Sequence, residues 1–126
     1  MTKWELIEKY NYYVRKRECF KAKVQANASL KQSVVSEYAT LTSNMNSLAA
    51  YEDCSVLFGE LYTKNKEMFS SSEASRIAGI FDSIDGHLNG VIASCQQSIN
   101  YYDAEIRRIE EEEREEERRK EENAGS

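Results

Sequence analysis

The chain has 126 residues, no proline, only five glycines, eight tyrosines and one tryptophan, with 31% charged and 40% hydrophobic residues. That length fits one domain, the scarcity of helix breakers points to an all-α fold, and the modest apolar share suits helices with a narrow buried stripe better than a compact enzyme. The formal net charge is -5. Glu110–Glu122 alone holds nine Glu against four Arg or Lys, while the first 35 residues carry eight Lys or Arg against three Glu. The charge is polarised along the chain but no part is strongly basic, which argues against a general nucleic-acid binder.

From Trp4 to about Leu48, apolar residues recur at steps of three and four: Ile7, Tyr10, Val14, then Phe20, Val24, Ala28, then Leu30, Val34, Tyr38, Leu41, Met45 and Leu48. Lys, Arg, Gln, Ser and Asn lie between them. This pattern predicts an amphipathic helix of ~45 residues, roughly 65 Å long. The step from Val14 to Phe20 is irregular, and Arg15, Lys16 and Arg17 sit in it.

Residues 49–72 form the connection. A turn is expected near Tyr51–Ser55, followed by a short helix within residues 54–69. Ser70 and Glu73 have the spacing of a capping box, in which a serine oxygen accepts from a free N–H of the first helical turn.

The second long helix, about 73–109, has the clearest period. Ile77, Phe81, Ile84, Leu88, Val91, Cys95, Ser98, Tyr102, Glu105 and Ile109 fall at alternating steps of four and three, and Ile80, Ile92, Ile99 and Ile106 widen the stripe. A repeat near 3.5 residues implies left-handed supercoiling against another helix. Gly79, Gly86 and Gly90 each cost about 1 kcal/mol against alanine and point to close helix approach or a kink. After Ile109 the stripe stops. Glu110 with Arg114, Glu115 with Arg119 and Glu116 with Lys120 have the favourable i,i+4 polarity, so residues 110–126 read as a charged helical or frayed tail.

Two long amphipathic helices with one connection fold back on each other to bury their stripes. An elongated, coiled-coil-like antiparallel hairpin sets the basic first helix beside the acidic end of the second. One hairpin covers one side of each helix. The stripe over 77–109 is wider than that, which calls for a further helical partner or a homo-oligomer.

The residues of catalysis are sparse. His87 is the only histidine, next to apolar Leu88 and far from any nucleophile signature. The carboxylates cluster in the tail, mutually screened, with no acid–base pair of separated environments. Cys19, Cys54 and Cys95 lack metal-ligand spacing and read as reduced thiols of a cytoplasmic protein; Cys54, near the expected turn, is the most open to reaction. No phosphate-binding loop, metal set or cofactor motif occurs. There is no apolar run approaching the about 18 residues of a membrane span, and the N-terminus lacks a signal-peptide core.

The layout resembles the small WXG-type proteins of bacterial type VII secretion, and more closely the YwqH-like helical proteins encoded beside LXG toxins. Those are two long helices around a central turn with a Trp-X-Gly-type motif. Here the corresponding place reads Leu57-Phe58-Gly59, with leucine where the family has tryptophan. Phe81-Asp82-Ser83-Ile84-Asp85 has the Phe-X-X-X-Asp form of some toxin-associated partners, and Tyr101-Tyr102-Asp103-Ala104-Glu105 the Tyr-X-X-X-Asp/Glu form of the export signal. At i,i+4 an aromatic ring and a carboxylate share one helix face, so the ring can fill a groove while the carboxylate meets a basic group. Phe81 is also a stripe position, whereas Tyr101 lies beside one and is expected to be exposed.

The resemblance implies a non-enzymatic partner that binds the N-terminal helical domain of an LXG toxin, alone or with a second small helical protein, and presents it to the secretion machinery. Export without a cleaved signal peptide goes with that reading. The partner-binding candidates are Phe81, Asp85, Ile80, Ile92, Ile99, Tyr101 and Glu105, with Leu57 and Gly59 at the turn. The rival reading is a coiled-coil adaptor or scaffold unrelated to secretion.

Overall fold

The computed structural model describes residues 1–48 and 71–125, together with residues 60, 63, 64 and 67. Two helices form an all-α antiparallel hairpin: α1 over Lys3–Leu48 and α2 over Ser71–Ala124. The described residues include no strand. The first helix agrees with the expected 4–48. The second begins two residues earlier than expected and runs unbroken through the charged tail, so that tail is helical to Ala124. Glu60, Thr63, Lys64 and Glu67 are helical. The expected turn, Ser70, Cys54, Leu57 and Gly59 lie outside the described residues.

The start of α1 is built by a signal that the sequence reading passed over. The Thr2 hydroxyl accepts from the Glu5 N–H at 3.2 Å, and the Glu5 carboxylate accepts from the Thr2 N–H at 2.8 Å. This reciprocal pair is a capping box, Thr-X-X-Glu, and it satisfies N–H groups that have no partner inside the helix.

The chain divides into two units, residues 1–22 with 88–126 and residues 23–87. In the first unit, Leu6, Cys95 and Ile99 are buried. Tyr13 and Tyr102 stack with ring centroids 5.9 Å apart, the Arg17 guanidinium donates to the Gln96 side-chain oxygen at 2.9 Å, and Lys3 donates to Glu113 at 3.1 Å with Glu110 beside it at 3.8 Å. Position numbers rise on α1 as they fall on α2, as antiparallel pairing requires. Past Glu113 no residue of α1 remains to lie opposite, and residues 111–125 are exposed. The apolar stripe therefore ends at Ile109, and one ionic clasp on Lys3 follows it.

In the second unit, buried Asn27 donates from its side-chain amide to the Phe81 carbonyl at 3.0 Å, and Lys31 bonds Asp82 at 2.7 Å. Val24, Val34, Tyr38, Ala74, Ile77, Ala78, Phe81 and Asp85 of this unit are half-buried.

These contacts correct both stripes. On α1 the inward positions are Lys3, Leu6, Tyr10, Tyr13, Arg17, Phe20, Val24, Asn27, Lys31, Val34 and Tyr38, a strict alternation of three and four. The apparent irregularity between Val14 and Phe20 disappears because Arg17 occupies the seam. Ile7, Ala28, Leu30 and Leu41, expected inside, are exposed. On α2 one half of the expected seam holds: Phe81, Leu88, Cys95, Tyr102 and Ile109. Of the other expected half, Ile77, Val91, Ser98 and Glu105 are half-buried and Ile84 is exposed at 44%; Ile92, Ile99 and Ile106, expected to widen the stripe, are half-buried or buried, as are Ala78 and Asp85. Polar residues at inner positions hid these inner faces, since an apolar-only pattern skips Asn27, Lys31 and Asp85.

The glycines of α2 do not mark close approach. A Cβ built on Gly79, Gly86 or Gly90 meets nothing within 4 Å. Gly86→Ala and Gly90→Ala are each expected to stabilise the fold by about 1 kcal/mol, through helix propensity alone. Urea unfolding of each variant checks this, and a loss of stability would mean that these positions are covered.

Candidate partner-docking surfaces

Two stretches of the second unit, 24–48 and 71–87, are poor in charge. Residues 24–48 hold only Lys31 and Glu37 as charged side chains, and residues 71–87 only Glu73, Arg76, Asp82 and Asp85, whereas residues 1–23 hold ten. In these stretches Leu30 is 58% exposed, Ile80 48%, Ile84 44% and Leu41 41%. Their placement follows from the seam. Lys31 leans to one edge of it, where it meets Asp82. Leu30 flanks the other edge on α1, and in an antiparallel pair the residues flanking that same edge on α2 are Ile77, Ile80 and Ile84. One edge therefore carries the Lys31–Asp82 ion pair, and the other carries the exposed Leu30, Ile80 and Ile84, with Glu37 one heptad after Leu30 and Glu73 one heptad before Ile80. Val35, also exposed, lies on the ion-paired side.

The first unit carries an aromatic array. Tyr12 meets Tyr13 edge-on at 5.0 Å, Tyr13 stacks on Tyr102, and Tyr102 meets Tyr101 edge-on at 5.2 Å. The four rings cross the hairpin, and the two outer ones stay open, Tyr12 at 50% and Tyr101 at 60% exposed. Trp4 and Met1 are also exposed. Glu105, one turn from Tyr101, is half-buried and accepts from Arg108 at 3.0 Å, and Glu112 accepts from the same guanidinium at 2.8 Å. Hydrogen bonding and charge from Glu105, and then from Glu112, raise the Arg108 pKa above its ordinary value.

The candidates named from sequence thus separate. Ile80 is open and lies on the same edge as Leu30 and Ile84. Tyr101 is open, as expected. Phe81 and Asp85 are half-buried seam residues of the second unit, and the Phe81 carbonyl takes the bond from Asn27. Ile92 and Ile99 are inner positions of the first unit, half-buried and buried, so the hairpin itself uses the width attributed to a partner-facing stripe. Leu30 and Leu41 were missed as surface residues because they were read as core. The first residue of an i, i+1 pair such as Leu30-Lys31 looks like the core member unless the charged neighbour is allowed inside.

Among the described residues no group of three or more His, Cys, Asp or Glu is placed to hold a metal ion, and none of their helices is long and apolar enough to cross a membrane. His87 and the free thiol of Cys19 are exposed, and the free thiol of Cys95 is buried. Comparison with protein-family models, curated proteins and solved structures finds no match.

The Tyr101–Glu105 pair gives a direct expectation. Tyr101→Ala removes one edge contact of an exposed ring, and a loss of about 0.5–1.5 kcal/mol is expected. Glu105→Ala breaks an exposed ion pair worth at most about 1 kcal/mol. Neither variant should unfold the protein, which thermal melting followed by circular dichroism tests. A collapse of the melt would make Tyr101 a structural tyrosine and remove it as a recognition residue.

Proposed function

We propose that this chain is a non-enzymatic helical partner protein that receives a helix of another protein on the apolar edge of its second unit. The observation carrying this reading is that Leu30, Ile80 and Ile84 are exposed on stretches with few charged side chains. An isolated exposed leucine is ordinary; apolar side chains of both helices beside an inter-helix groove are the form that takes an amphipathic helix. The resemblance to WXG-type and YwqH-like proteins gives the partner its identity in this proposal: the N-terminal helical domain of an LXG toxin, delivered to a type VII secretion system. Tyr101 and Glu105 are then the residues offered to the secretion machinery. The test is co-expression of the chain with such a toxin domain. A stable complex whose formation protects the amides around Ile80 and Ile84 from hydrogen exchange supports the reading. A toxin domain that purifies alone, with unchanged exchange in this chain, overturns it.

A further inference from the structure

In the first unit four tyrosines form one aromatic line across the hairpin: Tyr12 edge-on to Tyr13, Tyr13 stacked on Tyr102, and Tyr102 edge-on to Tyr101. The inner two rings are half-buried, and the outer two are 50% and 60% exposed. Open tyrosines beside an inter-helix seam offer a large apolar area at little side-chain entropy, together with a hydroxyl that can still hydrogen-bond, so they recur at protein contacts. The charges around the rings decide what they take. Aromatic faces attract cations, and an acidic surround would suit an ammonium or guanidinium group. The surround here has the opposite sign. Residues three or four away on a helix are surface neighbours. For Tyr12 and Tyr13 the charged ones are Glu8, Lys9, Arg15, Lys16 and Arg17; for Tyr101 and Tyr102 there is Glu105 alone. Glu105 is held by Arg108, Asp103 beside Tyr102 is held by Arg107, and Arg17 is held by Gln96 and Glu18. No hydrogen bond or ion pair ties Lys9, Arg15, Lys16 or Glu8 to a described residue. Three uncommitted cations therefore border the rings against one uncommitted acid.

We infer that the tyrosine line is a second docking surface, on the first unit, and that its occupant is an acidic amphipathic helix of a partner protein. Lys9 and Lys16 are seven residues apart, about 10 Å along α1, which is the separation of two carboxylates seven residues apart on a helix laid alongside. Those carboxylates meet the two lysines, and an apolar side chain between them rests on the open rings. Aromatic rings with cations also form platforms for single-stranded nucleic acid. That occupant is disfavoured, because the same unit carries the nine Glu of 110–122, whose charge repels a polyanion. The surface includes Tyr101, but it assigns recognition to rings and lysines and does not need the secretion reading.

The experiment titrates two synthetic helical peptides of about 20 residues, about 30 Å long, into the isotope-labelled full chain. One has glutamate at every seventh position with leucine between; the other has lysine in place of each glutamate. Tyrosine and amide resonances are followed at low and high salt. The glutamate peptide is expected to shift Tyr12, Tyr13, Tyr101 and Tyr102, to bind more weakly at high salt, and to bind at least about tenfold more tightly than the lysine peptide. Lys9→Glu with Lys16→Glu should reverse that preference. Tyr12→Ala with Tyr101→Ala should weaken the glutamate peptide about tenfold, with circular dichroism unchanged. Lys16 is half-buried; should its variant lose helicity, Lys9→Glu with Arg15→Glu carries the same comparison. Equal binding of the two peptides, or shifts that leave the four tyrosines unmoved, overturns the surface. A single-stranded oligonucleotide that moves the same rings at higher affinity than the glutamate peptide overturns the helix as occupant. Resonances around Ile80 and Ile84 report the second-unit edge separately, so either surface can fail without the other.

Discussion

Replacing Leu30 and Ile84 together by aspartate is expected to abolish capture of a helical partner and leave the hairpin folded. Both side chains are open, 58% and 44% exposed, and neither is an inner position of the seam. Exposed substitutions away from packing features change stability by under about 0.5 kcal/mol each, so helicity and melting should be close to wild type. In the complex both positions would be desolvated. A carboxylate buried there without a cation costs several kcal/mol, and each 1.4 kcal/mol is tenfold in affinity, so a loss of about 100-fold or more is expected. Val35→Asp is the control. Val35 is 47% exposed but lies on the edge that carries Lys31 and Asp82, and its substitution should leave affinity unchanged. Calorimetric titration of a toxin domain into each variant, with circular dichroism on the same samples, separates binding from folding. A folded double variant with wild-type affinity would move the docking surface elsewhere. Equal losses from Val35→Asp would mean that the partner wraps both edges.

The difference between the two edges could not be read from apolar spacing. The sequence alone yields two long helices, their antiparallel return and the end of the stripe at Ile109, because these depend on many residues at once. A missing proline and a sustained period are collective signals. The inner face depends on single residues, and there the apolar pattern misled. Arg17, Asn27 and Lys31 occupy inner positions because each has a partner across the seam: the Gln96 side chain, the Phe81 carbonyl and Asp82. None of those partners is visible until the helices are paired. Once the polar residues are admitted, α1 keeps a strict alternation of three and four from Lys3 to Tyr38, and Leu30 falls outside it; Leu41 is its next member but is 41% exposed. Ile99 shows the same error on α2. It stood beside the expected seam as a spare apolar residue, and the structure buries it. Tyr101 was legible because Tyr102, one residue on, already held the seam position.

The largest loss of stability from a single truncation is expected at Ile99. Leu6, Cys95 and Ile99 are the buried apolar side chains among the described residues, with Ile99 5% exposed and Cys95 2%. A core this small has few neighbours to close over a void, so Ile99→Ala should cost about 2–5 kcal/mol, the range for emptying a packed aliphatic site. Against the 5–15 kcal/mol of a typical domain that is a large fraction. The open positions give the contrast. Ile84→Ala removes a side chain that is 44% exposed and should cost much less. Removing residues 114–126 should cost still less, because that segment is exposed and the clasp of Lys3 on Glu110 and Glu113 is retained. Urea unfolding of the three proteins orders them. If Ile84→Ala cost more than Ile99→Ala, the inner phase of α2 would be the other one. Ile84 would then be core, and the row proposed for the partner would lose its central residue. The same denaturation series therefore tests the seam and the surface together, since on a helix of this period a residue can serve one of them only at the expense of the other.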